Sequence, residues 1–234
     1  MKTKRVVLMG GLGNQLFQYA FAMHLSGNQN TAIILDQNLG TIRRNRINQP
    51  ELDGFELSSG VSINDAKSPS ILAKRIVGLL IRSHLKPCST RNRAFNFMIS
   101  IFAKVILSSH FKTNIKLYVA TDAGMSAAKI KDKNLFIGYF QSYRYSNSNS
   151  EYSELKNIAI RNLGVEYSQL ETKAQHERPL VVHVRLTDYR VEEKFGIPSL
   201  EYYRIAIERQ WETCRYRKIW LFSDDPKAAL EFIP

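Results

Sequence analysis

The segment that most restricts the fold of this chain is a short apolar run followed by glycines and an amphipathic stretch. The apolar residues 6–9 lead directly into the sequence GGLGNQLFQYAFA at residues 10–22. Beyond the glycines, apolar residues recur at steps of three and four, which predicts a helix. A strand, a glycine-rich turn and a helix in this order are typical of the first unit of a parallel α/β sheet.

The glycine-rich turn has two interpretations. Gly10, Gly11 and Gly13 can adopt backbone angles that other residues avoid, and an anion can approach their main chain closely. The N-terminus of the following helix presents backbone N–H groups, which favour a phosphate. The same residues can also form a tight turn from strand to helix that binds no ligand.

A second polar segment follows an apolar run late in the chain. The sequence HVRLTDY at residues 183–189 places His183, Arg185 and Asp188 near the carboxyl end of a predicted buried strand. Open α/β sheets place their ligand sites at this end. The planar guanidinium of Arg185 can bind a diphosphate through two parallel hydrogen bonds. Asp188 can orient Arg185, or the two can form an ordinary surface ion pair.

The composition indicates a globular protein of one large or two small domains, since 44% of its 234 residues are hydrophobic and 23% are charged. Cys88 and Cys214 form no CxxC motif and no metal-ligand cluster, so we expect free thiols in a reducing compartment. No signal peptide is predicted, because the apolar run that follows the basic N-terminus ends at once in glycines.

Positive charge is concentrated in one part of the chain. The formal net charge is +12, and residues 66–121 contain no Asp or Glu. The basic residues of this stretch are Lys67, Lys74, Arg75, Arg82, Lys86, Arg91, Arg93, Lys104, Lys112 and Lys116. Its two apolar pieces, residues 71–81 and 94–107, are shorter than the roughly 20 residues that span a bilayer. The stretch favours either docking on an anionic membrane surface or two core helices with solvated basic faces. Nucleic-acid binding is disfavoured, because aromatic residues do not alternate with the charges.

The remaining pattern predicts an α/β chain of two domains, residues 1–165 and 175–234. Strands are predicted at residues 5–9, 31–35, 134–140, 179–185 and 217–222. Helices are predicted at residues 14–26, in the apolar stretch up to about 108, at 151–163 and at 200–211, with Ser199 as an N-cap. Loop is predicted at residues 37–70, a polar spacer at 146–150 and a linker at 161–177. Two strands with one full helix leave a sheet edge unpartnered, so the second domain is predicted to be incomplete.

Four segments together resemble a known enzyme family. They are GGLGNQLFQYAFA at 10–22, FIGYFQSYRYS at 136–146, HVRLTDY at 183–189 and FSDDP at 222–226. In this order and spacing they are similar to the bacterial α-1,2-fucosyltransferases of glycosyltransferase family 11, and more distantly to α-1,6- and protein O-fucosyltransferases. The resemblance implies a GT-B-like fold of two facing Rossmann-like domains. It also implies inverting, metal-independent transfer of L-fucose from GDP-β-L-fucose to a galactoside 2-hydroxyl, without a cofactor.

The resemblance also implies roles for particular residues. Arg185 would bind the β-phosphate of GDP and stabilise the charge that develops there as the sugar departs. His183 would contact the guanosine half, and Asp225 would accept hydrogen bonds from the guanine or the ribose. Further donor contacts would come from Gly11, Gly13 and the Asn14 side chain, with Gln141 and Ser142 in packing or on the acceptor side.

A base that accepts the proton of the acceptor hydroxyl is expected close to the HVRLTDY segment. The candidates are Asp188, Glu192 and Glu193, and the two glutamates can equally be solvated loop charges. The acidic pair before Pro226 is predicted to cap a helix rather than to bind a metal.

The chain departs from the family pattern in two places. Leu186 and Thr187 stand where many members have Arg-Gly, so one cation is absent. The family continues beyond FSDD into a Ser-Thr-Phe-Ser-Trp-Trp type segment that lines the phosphates, and this sequence reaches Pro234 without one. The chain is therefore expected to be cut short, and the alternative to an active enzyme is a remnant that binds GDP weakly or misfolds.

The family resemblance also implies an acceptor and a location, and the motifs bear on one alternative enzyme class. The implied acceptor is a galactoside, with a lipid-linked oligosaccharide of bacterial surface polysaccharide (O-antigen) synthesis as one candidate. The implied location is the cytoplasm, with peripheral contact at the inner, anionic face of a membrane, and no nucleic-acid partner is expected. A dinucleotide-dependent oxidoreductase is disfavoured, because residues 11–16 lack the third glycine of that fingerprint.

Overall fold

A computed structural model of the chain describes residues 2–26, 31–41, 49–64, 69–85, 93–120, 130, 132–142, 158–161, 164–187, 189–190, 196–214 and 216–233. The chain divides into two compact units, residues 1–162 and 163–234. Each unit contains its own parallel sheet with helices packed against it, so the predicted α/β class is confirmed.

Unit 1 is built on a five-stranded sheet with the strand order β3-β2-β1-β5-β4, in which every pairing is parallel. Its strands are β1 (Lys2–Val7), β2 (Thr31–Asp36), β3 (Val61–Ile63), β4 (Leu117–Val119) and β5 (Leu135–Ile137). Its helices are α1 (Leu12–Ser26), α2 (Ile71–Leu85) and α3 (Arg93–Phe111), with a 3₁₀ turn at Glu51–Gly54. The predicted opening of strand, glycine-rich turn, helix and strand is confirmed.

The apolar run before the glycines is buried on both faces of this sheet. Val6 and Leu8 pack in the core that α1 covers, whereas Val7 and Met9 pack in the core that α2 and α3 cover. Successive residues of a strand point to opposite faces. A continuous apolar run is therefore what a central strand between two helical layers requires.

Unit 2 contains a two-stranded parallel sheet of β6 (Leu180–Val184) and β7 (Ile219–Ser223). Its helices are α4 (Val165–Glu177), α5 (Leu200–Thr213) and α6 (Pro226–Ala229), followed by a 3₁₀ turn at Leu230–Phe232. Alternate residues of β6 are buried against α5 and the C-terminal turns. The predicted cap of α5 is confirmed, because the Ser199 hydroxyl accepts a hydrogen bond from the amide of Tyr202 at 3.1 Å.

Several predicted elements are wrong or shifted. β1 ends at Val7, two residues earlier than predicted, and β3 lies inside the predicted loop. The helix predicted at 151–163 is wrong at residues 158–161, since Ile160 forms an antiparallel bridge with Phe55. Residues 151–157, together with the predicted spacer at 146–150, lie outside the described residues.

The largest error concerns the predicted linker at 161–177. Residues Val165–Glu177 form α4, a regular helix none of whose residues is buried. Sequence periodicity reveals a helix through the apolar stripe that it buries, and α4 has no such stripe.

Two further predictions concern cysteines and membrane-spanning segments. Cys214 is a free thiol, and Cys88 lies outside the described residues. Within the described part of the chain, no helix has both the length and the apolar character needed to cross a membrane.

Candidate functional site

The two polar segments of unit 2 meet at one edge of its sheet. Because β6 and β7 are parallel, with Val184 paired to Ser223, the next residues of each strand lie side by side at the carboxyl edge. Arg185 follows β6 there, and Asp224 follows β7. The side chains of His183 and Arg185 are exposed, so both are accessible to a ligand. The structure therefore brings HVRLTDY and FSDDP together at the edge where α/β sheets bind their ligands.

The carboxylate of Asp224 ties the loop after β6 to the end of β7. Its Oδ1 accepts a hydrogen bond from the Leu186 amide at 2.9 Å, and its Oδ2 accepts one from the Thr187 amide at 3.1 Å. The Thr187 hydroxyl donates to the same Oδ2. These hydrogen bonds hold the pKa of the Asp224 carboxyl well below its usual range. The bond from the Thr187 hydroxyl has the largest effect, and the bond from the Leu186 amide comes next. Asp224 thus fixes the backbone directly after Arg185.

A second guanidinium group lies near the same edge. Arg190 Nη1 is 3.8 Å from Asp225 Oδ2, and the Arg190 amide donates to the Leu186 carbonyl at 2.9 Å. The Arg185 guanidinium lies 5.0 Å from the centre of the Tyr189 ring, in cation–π geometry. Sequence analysis found Arg185 but missed Arg190, whose position depends on how the loop folds back on itself.

Asp225 caps the short helix that follows β7. Its Oδ1 accepts a hydrogen bond from the Ala228 amide at 3.2 Å, and Pro226 is the first residue of α6. The predicted cap is therefore confirmed. In the part of the chain that the structure describes, no group of three or more His, Cys, Asp or Glu side chains is placed to hold a metal ion.

The structure does not describe the residues that were predicted as catalytic bases. Asp188, Glu192 and Glu193 lie outside the described residues, and so does the predicted ion pair of Arg185 with Asp188. The residues of the site that the structure does place are His183, Arg185, Arg190, Asp224 and Asp225.

The three glycines of the turn in unit 1 differ in whether the backbone could accept another residue at their position. Gly10 has a φ of 74°, and a Cβ there would clash with Nδ2 of Asn14, so this position needs glycine. Gly11 and Gly13 have no positive φ. Gly13 lies in the first turn of α1, and a Cβ there would have no neighbour within 4 Å. Nothing in the described protein therefore requires a glycine at position 13.

The N-terminus of α1 already contacts an anionic group of the protein. The Leu12 amide donates a hydrogen bond to Oε2 of Glu51 at 2.5 Å, a favourable arrangement because the helix dipole attracts negative charge. At this amide, the phosphate that the sequence suggested would have to displace Glu51. Sequence analysis missed Glu51, because nothing in a loop 39 residues away marks it as a partner of this helix.

Two glutamines of α1, directly after the turn, have structural roles. Gln18 is fully buried; its Oε1 accepts from the Met9 amide at 2.9 Å, and its Nε2 donates to the Gly138 carbonyl at 3.1 Å. Gln15 is also buried and donates to the Gly10 carbonyl at 3.0 Å. These bonds connect α1 to the ends of β1 and β5. A tight turn from strand to helix that binds no ligand therefore accounts for the hydrogen bonds of both glutamines.

Asn14 is held by a residue of the FIGYFQSYRYS segment. Gln141 Nε2 donates to Asn14 Oδ1 at 2.7 Å, across 127 residues of sequence. The neighbouring Ser142 is buried. Two of the four family-like segments therefore meet at this turn of unit 1, as the other two do at the sheet edge of unit 2.

We expect the Asp224 hydrogen bonds to stabilise unit 2 in a pH-dependent way. Because the folded-state pKa lies below the ordinary aspartate value of about 3.9, their contribution is fully present above that value. It is lost as pH falls through the lowered pKa. The melting temperature of Asp224→Asn should lie below that of the wild type near neutral pH, and the difference should shrink in acid.

Thr187→Val provides the graded comparison, since it removes the hydroxyl donor and keeps both backbone bonds to Asp224. Its melting temperature should fall between those of the wild type and Asp224→Asn. A difference between Asp224→Asn and the wild type that stays constant into strong acid would contradict the assignment.

No family model matches the chain, and no curated protein matches it. Among solved structures, the chain is similar to a crystal structure of the fucosyltransferase NodZ from Bradyrhizobium, with 14% identity and a TM-score of 0.46 over 100% of this chain and 76% of that one. NodZ α-1,6-fucosyltransferase soaked with GDP-fucose gives 15% identity and a TM-score of 0.45 over 99% and 75% of the two chains. At this identity and TM-score, the similarity carries no argument about the activity of this chain.

Proposed function

We propose that this protein is a fucosyltransferase that moves L-fucose from GDP-β-L-fucose to an acceptor hydroxyl. The observation that supports this most directly is the convergence of HVRLTDY and FSDDP at the carboxyl edge of the β6–β7 sheet. The two segments are joined by hydrogen bonds between residues 38 positions apart, Leu186 and Asp224. An exposed arginine at the edge where α/β sheets bind their ligands, followed by backbone that Asp224 holds in place, supports the assignment of Arg185 to a diphosphate.

Arg185 has the electrostatic role in the proposed reaction. The bond between the fucose anomeric carbon and the β-phosphate oxygen breaks, and its electron pair leaves on GDP. The guanidinium of Arg185 stabilises the negative charge that grows on that phosphate. The acceptor oxygen attacks the anomeric carbon from the opposite side, so the configuration inverts through an oxocarbenium-like state. The hydroxyl proton passes to a carboxylate base, for which Asp188 and Glu193 are the proposed candidates.

The other predicted donor contacts belong to the same proposal. His183 and Asp225 are assigned to the guanosine half, because both lie beside Arg185 at the end of the sheet. Gly11, Gly13 and Asn14 are assigned to the fucosyl diphosphate. The two units would form a GT-B-like pair of Rossmann-like domains, and the reaction would need no metal. The acceptor would be the 2-hydroxyl of a galactoside. The enzyme would act in the cytoplasm, in the synthesis of a bacterial surface polysaccharide.

The first experiment is a calorimetric titration of the purified chain with GDP, and with UDP and NAD as controls. Saturable binding of GDP, without binding of UDP or NAD, supports the donor assignment. A chain that melts cooperatively but does not bind GDP would overturn it. Incubation with GDP-fucose and a galactoside, followed by NMR of the product, then determines the linkage. An α-1,2 product supports the full proposal, and an α-1,6 product would correct the linkage.

The Gly13→Ala variant tests whether the glycine-rich turn contacts the donor. Because Gly13 lies in the first turn of α1 and a Cβ there has no neighbour, we expect the free energy of unfolding to rise by up to about 0.5 kcal/mol, the lower end of the value for a helix interior. If the donor approaches this backbone, the same methyl group should weaken GDP-fucose binding by about 10-fold, or 1.4 kcal/mol. Denaturant unfolding and calorimetry measure the two effects.

Gly78→Ala is the matched control for this variant. Gly78 lies within α2, and a Cβ there also has no neighbour within 4 Å. Since Gly78 is in the interior of its helix, Gly78→Ala should gain at least as much stability, about 0.5–1 kcal/mol, without a change in donor binding. Unchanged GDP-fucose affinity in Gly13→Ala would remove the turn from the proposed donor site.

A further inference from the structure

The helices of the basic stretch have one face in the core of unit 1. α2 and α3 pack against each other, and both bury residues against the five-stranded sheet. The buried residues are Ala73, Ile76, Val77 and Leu80 on α2, and Ile99, Ala103 and Leu107 on α3. The core-helix interpretation of this stretch is thus correct for these faces. It leaves the opposite faces to be explained.

The opposite face of α3 is apolar as well. Met98, Ile101, Phe102 and Val105 share one side of the helix, since each lies three and four residues from two others of the set, and each is 44% to 65% exposed. We call these four residues the α3 outer face. A helix on the surface of a soluble protein normally presents polar residues on the side away from the core. Large exposed apolar patches are typical of surfaces that bind another partner.

Basic residues accompany this apolar surface. On α2, Lys74, Arg75 and Arg82 are exposed, and on α3 Lys104 is exposed beside the outer face. The apolar residues Ile71, Leu72 and Leu79 are exposed on α2 as well. Neither helix contributes a carboxylate, because residues 66–121 contain no Asp or Glu. The outward side of the helix pair therefore combines aromatic and aliphatic side chains with positive charge only.

We propose that the outward side of α2 and α3 docks on the surface of a membrane that contains anionic phospholipids. The α3 outer face would enter the boundary between headgroups and acyl chains, to a depth of about 5–10 Å for a helix that lies in the plane of the membrane. The lysines and arginines would contact the lipid phosphates, and each should favour binding to an anionic leaflet by about 5-fold. The contact is peripheral, since neither helix has the length and apolar character needed to cross a membrane.

Charge favours this partner over a second copy of the chain. Two copies joined through this surface would bring the same lysines and arginines together without an opposing carboxylate from either helix. Like charges placed together across an interface oppose binding. An anionic lipid surface complements both the positive charge and the apolar side chains. This inference uses only the surface of unit 1 and does not depend on the proposed transferase activity.

Sedimentation of the full chain with lipid vesicles tests the proposal. We expect binding to vesicles of phosphatidylcholine mixed with phosphatidylglycerol, weaker binding to phosphatidylcholine alone, and a decrease with rising salt. The double variant Lys74→Gln and Arg75→Gln should lower the partition coefficient about 25-fold, which is about 5-fold for each charge. The double variant Phe102→Gln and Val105→Gln should lower it at least about 10-fold, because their apolar area no longer leaves water.

The matched controls lie in unit 2. Val165 and Leu170 on α4 are also exposed apolar residues, and Val165→Gln with Leu170→Gln should leave vesicle binding unchanged. Arg209→Gln on α5 is the corresponding charge control. Circular dichroism checks that every variant remains folded.

Three results would overturn the proposal. The first is a failure to prefer anionic vesicles, seen either as equal binding to neutral and anionic vesicles or as no binding to either. The second is a loss of vesicle binding in the α4 control variant as large as that in the α3 variant. The third is a dimer in sedimentation velocity that the Phe102→Gln and Val105→Gln variant dissociates, which would identify a second copy as the partner.

Discussion

Replacement of Arg185 by alanine is expected to lower the turnover of GDP-fucose by about 10²- to 10³-fold, the usual cost of removing one group that stabilises transition-state charge. The side chain is exposed and lies beyond the end of β6, so its removal leaves the core of unit 2 intact. The effect should therefore appear in kcat and in GDP affinity, with little change in melting temperature.

Two further variants separate charge from geometry. Arg185→Lys keeps the positive charge but loses the planar fork that binds two phosphate oxygens, so we expect only partial activity. Arg209→Ala removes an exposed arginine from α5, away from the sheet edge, and should retain full turnover. Undiminished transfer by a folded Arg185→Ala protein would exclude Arg185 from the catalytic role.

The Gly40→Ala variant should lower the free energy of unfolding by about 3 kcal/mol, the upper end of the cost of overpacking. A methyl group at this position would overlap the Leu8 carbonyl oxygen and lie 2.9 Å from Cγ1 of Val7. The backbone there has little freedom to move, since the Leu8 amide donates to the Asp36 carbonyl at 3.0 Å. Gly10 is bound to the neighbouring Thr41 carbonyl at 2.7 Å, so the variant should also disturb the glycine-rich turn.

Urea unfolding measures this effect, with Gly54→Ala as the control. A Cβ at Gly54 would have no neighbour within 4 Å, so that variant should stay within about 0.5 kcal/mol of the wild type. If Gly40→Ala unfolds at the same urea concentration as the wild type, the close approach of residue 40 to the end of β1 is not a constraint on this fold.

The sequence predicted those elements that bury a periodic or continuous apolar surface. β1, α1 and β2 were found because residues 6–9 and the spacing after Leu16 belong to a core. β3 and β4 were missed because each has only three residues, too few for an alternating pattern to show. β5 is equally short, but it was found because it opens a longer apolar stretch at residues 135–140. α4 was taken for a linker because it buries nothing. In each case the local sequence carries no record of the contacts that stabilise the element.

Some residues of the candidate site could be predicted from the sequence, and others only the fold reveals. Strand-end position and side-chain chemistry were enough to select His183 and Arg185 from the sequence, since a parallel strand determines where the following residue lies. Asp224 was passed over in favour of Asp225, and only the fold shows that Asp224 binds the loop beside Arg185, across 38 residues. The same holds for Glu51 at the Leu12 amide and for Gln141 at Asn14.

The sequence by itself therefore determined the α/β class, the glycine-rich turn and the arginine at the strand end, because these depend on periodicity and on residue chemistry over a few neighbouring positions. Only the tertiary structure decided which carboxylate positions the site loop, which anion contacts the α1 N-terminus and which apolar side chains stay exposed on α3. Those outcomes depend on which distant segments lie within hydrogen-bonding or packing distance, and chain folding alone sets that distance.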